Sequence, residues 1–158
     1  MAHPNADLIT RFYSAFQKRD GEGMAACYAP NIRFSDPVFP GLTGERAKDM
    51  WRMLCGRNSG LTLEFSNVTA DDAHGSAHWE ARYVFGPNKR KVLNIIDAHF
   101  HFGNGLITEH TDTFSFWRWS RQAIGPAGLL LGWTPIIQNA VRKQAAATLD
   151  AFQQQKKA

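Results

Sequence analysis

His110 and Asp112 stand two residues apart in a stretch that alternates polar and apolar positions. On a strand, that spacing puts both side chains on one face. Thr108, Phe114 and Phe116 share the face, so the two form a polar couple in an apolar wall. Histidine titrates near neutrality and can both take and give a proton. Asp112 can orient the ring or raise its basicity. The pattern suits general acid–base catalysis; it also suits a buried histidine satisfied by a carboxylate for structure alone. Asp36 is the second candidate, ending the short alternating segment of Ile32 and Phe34 just before Pro37. A carboxylate at a strand end facing an apolar pocket has its charged form disfavoured, which raises its pKa toward the working pH. An Asp-Pro pair is also an ordinary turn, because the residue before proline is pushed to extended geometry.

The remaining histidines carry weaker signals. His99, His101 and Asp97 alternate onto what the pattern makes the outer face. His-x-His supplies two metal ligands on one strand, but nothing beyond Asp97 offers a third, so no metal is expected. His74 and His78 read as surface residues at a strand start, and His3 as part of a mobile terminus. Trp117-Arg118-Trp119-Ser120-Arg121 interleaves aromatics with cations. No basic groove accompanies it, so a strand end leading into a lid or subunit contact is expected rather than a nucleic-acid site. Leu129-Leu130-Leu131-Gly132-Trp133 is an exposed apolar stretch unless it covers the pocket or meets a partner.

The elements that must hold these residues follow from periodicity. Leu8, Phe12 and Phe16, with Ile9 and Tyr13, make one stripe of a helix over about residues 5–19. Asp20-Gly21 caps a short second helix carrying Met24, Cys27 and Tyr28, stopped by Pro30. Thr43 caps a third, whose inner face is Ala47, Met50, Trp51 and Leu54. Strands follow: Leu61, Leu63 and Phe65; then residues 76–85, with Ala77, Trp79, Ala81, Tyr83 and Phe85 inward. Residues 91–102 turn Val92, Asn94, Ile96, Ala98, Phe100 and Phe102 to one side, and the last strand spans residues 106–118. Gly103-Asn104-Gly105 is a strong hairpin signal between them. Residues 117–133 read as a Gly- and Trp-rich loop. Thr134-Pro135 then opens a final amphipathic helix with Ile137, Val141, Ala145, Leu149 and Phe152 on one face.

This order argues an α+β fold, a curved sheet with helices on one side. The 158 residues suit one domain. No apolar run approaches the ~20 residues of a bilayer span, and no membrane partner is expected. No basic segment followed by an apolar one opens the chain, so no secretory signal is expected. Two cysteines exclude a disulfide scaffold and fit free thiols in a reducing cytoplasm. Net charge of +4 is mildly basic and no nucleic-acid signature by itself.

Three segments resemble the nuclear transport factor 2-like superfamily, in its branch of ketosteroid isomerases and SnoaL-like polyketide cyclases. They are residues 11–16 (RFYSAF), residues 28–37 (YAPNIRFSDP) and the hairpin of residues 99–107 (HFHFGNGLI). His110-Thr111-Asp112 resembles the His/Asp-bearing last strand of SnoaL-like members. The likeness covers about residues 5–118, with the loop and helix of residues 119–158 as an addition. It implies a cone whose curved antiparallel sheet and N-terminal helices enclose a pocket, a homodimer formed through the outer face, and no cofactor. Asp36 matches the isomerase general base, and Asp112 looks like the acid/base aspartate of the cyclases.

The isomerase's two oxyanion positions fall here on Phe12 and Ala98, so its donors are missing. Tyr13 and Asp97 are adjacent but turned away, by about 100° on a helix and to the opposite face on a strand. The Asp-Arg-Asp set of limonene epoxide hydrolases is absent from the inward face of residues 92–102. A dehydratase resembling scytalone dehydratase stays open through His110. The expected site is therefore His110, Asp112 and Asp36 for proton transfer. Phe12, Tyr28, Trp51, Trp79, Tyr83, Ala98, Phe100 and Phe114 would line a pocket for a flat, apolar ring-type molecule. The same pocket on a non-catalytic ligand-binding or dimerisation module is the alternative.

Overall fold

Leu8, Ile9, Phe12, Tyr13 and Phe16 share one side of a helical repeat, and all five are buried. They make Pro4–Gln17 (α1) the helix that packs on the concave side of the sheet. The computed structural model describes residues 3–57 and 60–157. Its elements run α1, Gly21–Ala26 (α2), Tyr28–Ser35 (β1), Leu42–Thr43 (β2), Glu45–Gly56 (α3), Thr62–Ala70 (β3), His74–Phe85 (β4), Arg90–Gly103 (β5) and Leu106–Thr113 (β6). Phe116–Ala123 (α4), Pro126–Leu131 (α5) and Pro135–Lys157 (α6) complete the order. The sheet order is β2-β1-β6-β5-β4-β3, a curved, unclosed six-strand sheet. β3 to β6 form an antiparallel meander, and β1 joins β6 in parallel. Asn104 and Gly105 both take positive φ, 53° and 77°, which fits the tight turn their sequence signals.

Several boundaries differ from expectation. His3 is not loose: its Nδ1 accepts the Asn5 N–H at 3.1 Å and caps α1, and its Nε2 meets Asp72 at 2.9 Å. Tyr28 lies on β1 rather than on α2. Pro30 falls inside β1, where a register shift between Tyr28 and Arg33 relieves it of donating to the ladder. Thr43 belongs to β2, and Gly44 takes the N-cap place of α3.

The largest difference follows β6, which ends at Thr113. Ser115 then caps α4 by accepting the Arg118 N–H at 3.2 Å. Phe116, Trp119, Ser120 and Ala123 recur at helical spacing and are buried together. Alternation through Phe114 and Phe116 resembles a strand, but the longer period wins because it buries more. The expected loop is thus two short helices. The final helix is anchored by fully buried Leu149, with Ala145 and Phe152 packed beside it. Its cationic end is not merely solvated: Lys156 reaches the buried Asp49 of α3 at 2.7 Å, and Arg46 meets Asp150 at 2.6 Å.

Candidate active site

Phe34, Phe100 and His110 are neighbours across three adjacent strands, because β6 pairs His110 with Phe34 of β1 and Phe100 of β5. The imidazole is fully buried. Trp51 stacks nearly parallel on it at 6.0 Å, Phe100 lies 4.4 Å away, and Phe34 and Phe12 meet it edge-on at 5.0 and 5.5 Å. Both ring nitrogens are engaged. Nδ1 is 2.6 Å from the Tyr28 hydroxyl and Nε2 is 2.8 Å from Asp112 Oδ1.

Donor logic orders this chain. The Trp51 indole N–H can only donate, and it does so to the Tyr28 oxygen at 2.8 Å. Burial and the Asp112 carboxylate hold the Tyr28 phenol protonated, well above its ordinary pKa. The Tyr28 hydroxyl therefore donates to His110 Nδ1, and the Nε2–H donates to Asp112. Trp79 Nε1 makes a longer contact of 3.5 Å to the same carboxylate oxygen.

Asp112 lines a cavity of about 770 Å³. Asp36 lines the same cavity, among Trp51, Trp79, Tyr83 and Phe114. Asp36 is half-buried, and its Oδ1 accepts the N–H groups of Val38 and Phe39 at 2.8 and 2.6 Å. Burial outweighs these two bonds, and its pKa is pushed from 3.8 up to about 6. Tyr83 accepts the Trp119 indole N–H at 2.8 Å, and burial pushes its phenol up to about 12. Among the described residues, no protein acceptor takes the Tyr83 proton, and no protein group bonds the amide of the buried Asn94, which also lines the cavity.

The structure thus divides the expected site. Asp36 and Asp112 meet at one cavity, whereas His110 does not line it and stands behind Asp112. Trp51, Trp79, Tyr83 and Phe114 line this cavity. Phe12, Tyr28, Ala98 and Phe100 do not. Ala98 is the cross-strand partner of Asp112 and Phe100 that of His110, so both pack against the pair rather than against the opening. Phe12 stacks on Tyr28 at 5.1 Å in the wall behind His110. Tyr13 is fully buried, and its hydroxyl has no hydrogen-bond partner among the described residues.

Sequence reasoning overlooked Asn94, although its signal was there: a lone amide on the inward face of β5. It also overlooked the far wall, where Ile137, Val141, Gln144 and Thr148 of α6 close the cavity opposite the sheet. Among the described residues, no group of three or more His, Cys, Asp and Glu side chains is placed to hold a metal ion.

The raised pKa of Asp36 gives a stability prediction. Between about pH 4 and pH 6 the folded chain keeps a proton on Asp36 that the unfolded chain has released. Stability from this group therefore falls as pH rises through that window and stays lost above it. Asn at this position keeps an oxygen for the Val38 and Phe39 N–H groups and never ionises. Asp36→Asn should raise the melting temperature at pH 7.5, by the equivalent of about 1–2 kcal/mol after allowance for partial solvent screening. The gain should shrink toward zero at pH 4. Thermal unfolding of both proteins at the two pH values checks this, and an equal effect at both would contradict it.

The geometry agrees with the comparisons. A LEH-like epoxide hydrolase from M. tuberculosis superimposes with a TM-score of 0.65 at 20% identity, covering 81% of this chain and 96% of that one. A candidate polyketide cyclase from Xanthomonas campestris pv. campestris gives 0.64 at 21% identity, over 75% and 96%. TerC, co-crystallised with polyporic acid, gives 0.65 at 15% identity, over 76% and 98%. These likenesses are of fold, the α+β cone of nuclear transport factor 2-like proteins. Among curated proteins none matches. The family model described as SnoaL-like domain matches residues 9–110, from α1 to the buried histidine, and the chain belongs to that family.

Proposed function

We propose that the protein is a cofactor-independent enzyme that moves a proton on an apolar, ring-type molecule, in the manner of an isomerase, cyclase or dehydratase. The observation that carries this reading is the pair of carboxylates, Asp36 and Asp112, in one mostly apolar cavity. A pKa of about 6 leaves Asp36 mostly ionised at neutral pH yet basic enough to take a proton, the poise expected of a general base. The carbanion it would leave needs its charge held on oxygen. The free proton of Tyr83 and the Asn94 amide are the donors available to a carbonyl oxygen in the cavity, in place of those missing at Phe12 and Ala98. Asp112 is the second proton-handling group, and His110 is its positioning residue. A balanced reaction follows: Asp36 takes a proton from carbon beside a carbonyl and the enolate oxygen rests on Tyr83 and Asn94; the proton then returns to another carbon of the enolate, or goes to a β-hydroxyl whose C–O bond breaks to release water.

Incubation in deuterium oxide with a panel of polycyclic ketones tests the proposal. Wild-type protein should catalyse deuterium wash-in at carbon adjacent to a carbonyl, and Asp36→Asn should not. A second reading has its own observation: both nitrogens of His110 are saturated inside the protein, as in a purely structural hydrogen-bond chain. On that reading the cavity retains an apolar ligand unchanged. Panel compounds that bind but never take up deuterium above the background rate would favour it.

A further inference from the structure

Among the described residues, six large apolar side chains are exposed, and they cluster in one short region: Trp117, Leu129, Leu130, Leu131, Trp133 and Ile136. Leu130, Trp133 and Ile136 are 69%, 68% and 79% exposed, too much for strays from a core. They are displayed on a rigid base. A side chain at Gly128 or Gly132 would collide with Ser120, so α5 is seated hard against α4 with its leucines outward. Trp117 Nε1 donates to the Leu129 carbonyl at 3.0 Å, and Trp133 Nε1 donates to the Leu130 carbonyl at 3.1 Å. Cations border the patch. The Arg121 guanidinium lies 4.8 Å over the Trp117 ring, and Arg90, Lys91 and Arg121 share a groove with Leu129.

Charge is segregated in the segments that hold the patch and in the β4–β5 hairpin. Residues 81–96 and 113–149 hold Arg82, Lys89, Arg90, Lys91, Arg118, Arg121, Arg142 and Lys143, eight of the 18 cations, and none of the 14 carboxylates. An apolar patch with tryptophans, flanked by Arg90, Lys91 and Arg121, matches the interfacial zone of an anionic bilayer. There leucines and indoles partition below the headgroups while arginine and lysine meet the phosphates. A second copy is the poorer occupant, because a twofold interface would set this cationic surface against itself. The patch is close in sequence to the cavity wall: Trp119 of α4, Ile124 at its C-cap and Ile137 of α6, next to Ile136, line the cavity.

We propose that the α4–α5–α6 end of the molecule docks on anionic lipid surfaces and that the apolar ligand enters the cavity from the membrane side. No helix among the described residues is long and apolar enough to cross a bilayer, so this is attachment to a surface and departs from the expectation of no membrane partner. Docking stands apart from the acid–base reading, since a chain without turnover would still bind lipid.

Sedimentation of the full chain with vesicles is the test. It should co-sediment with equimolar phosphatidylglycerol–phosphatidylcholine vesicles, remain free with phosphatidylcholine alone, and be released by salt. Arg118→Gln/Arg121→Gln should weaken partitioning about 25-fold, roughly fivefold per cation. Leu130→Ser/Trp133→Ser should weaken it at least as much while leaving circular dichroism, and deuterium wash-in of a dissolved ketone without vesicles, unchanged. Ile136→Ser alone serves if that pair fails to fold. Absence of binding to the anionic vesicles, or binding indifferent to all these substitutions, overturns the proposal. So does a patch substitution that halves the solution mass without vesicle binding, which would make the patch a contact between copies. Salt-sensitive capture by immobilised polyglutamate without lipid binding would give the surface to an acidic protein instead.

Discussion

Asp36→Asn is expected to slow catalysed deuterium wash-in by about 10²–10⁴-fold, the usual contribution of a positioned general base. The substitution is nearly isosteric, and its oxygen can still accept from the Val38 and Phe39 N–H groups, so the turn survives. What is lost is the ability to hold a proton. Asp36→Glu is the companion: it keeps the charge but lengthens the side chain, and should retain more activity than Asn while misplacing the base. In wild type the rate should fall on the acid side with a midpoint near pH 6, where Asp36 becomes protonated. An Asn variant with wild-type rates would remove Asp36 from the chemistry, whatever its effect on stability.

His110→Ala should cost about 3–5 kcal/mol of stability, because it leaves a buried carboxylate without its partner. It also strips Tyr28 of its acceptor and opens a cavity against Trp51, Phe34 and Phe100. Denaturant unfolding measures this directly. The discriminating variant removes both partners: His110→Leu/Asp112→Leu replaces a buried polar pair by apolar groups and should be far less destabilised than either single truncation. Near-additive losses in the double variant would mean the pair is not energetically coupled. For function, the double variant should lose wash-in even though it folds. A purely structural pair would leave ligand retention in the cavity unaltered.

Much of this arrangement was legible because β-strand parity is strict. Alternation in residues 91–113 placed Asn94, Ala98, Phe100, His110 and Asp112 on the concave side, and all are buried there. Parity gives the face but not the depth. Position along the strand decided that Asp112 reaches the cavity while His110, two residues earlier, lies beneath Trp51 and Tyr28. Tyr28 illustrates a boundary error with functional weight. As part of a helix it would have been a ligand contact, whereas on β1 it is the hydroxyl that holds His110 Nδ1. The segment after Thr113 departs from the expected strand because Phe114 and Phe116 satisfy strand alternation only locally, while Phe116, Trp119 and Ala123 satisfy the helical period over a longer span. No local pattern could show that α6 would fold back over the sheet. That contact depends on Leu149 finding its place and on Asp49 accepting Lys156 across more than a hundred residues of chain.

The proposed chemistry needs a carboxylate tuned by an apolar cavity, so the titration of Asp36 itself is the most direct measurement. Carbon-13 NMR of aspartate-labelled protein, with Asp36→Asn to assign the resonance, should show its carboxyl titrating near pH 6. A midpoint near the ordinary 3.8 would show a hydrated carboxylate in an open turn, and the proposed base would be no more than the end of a strand.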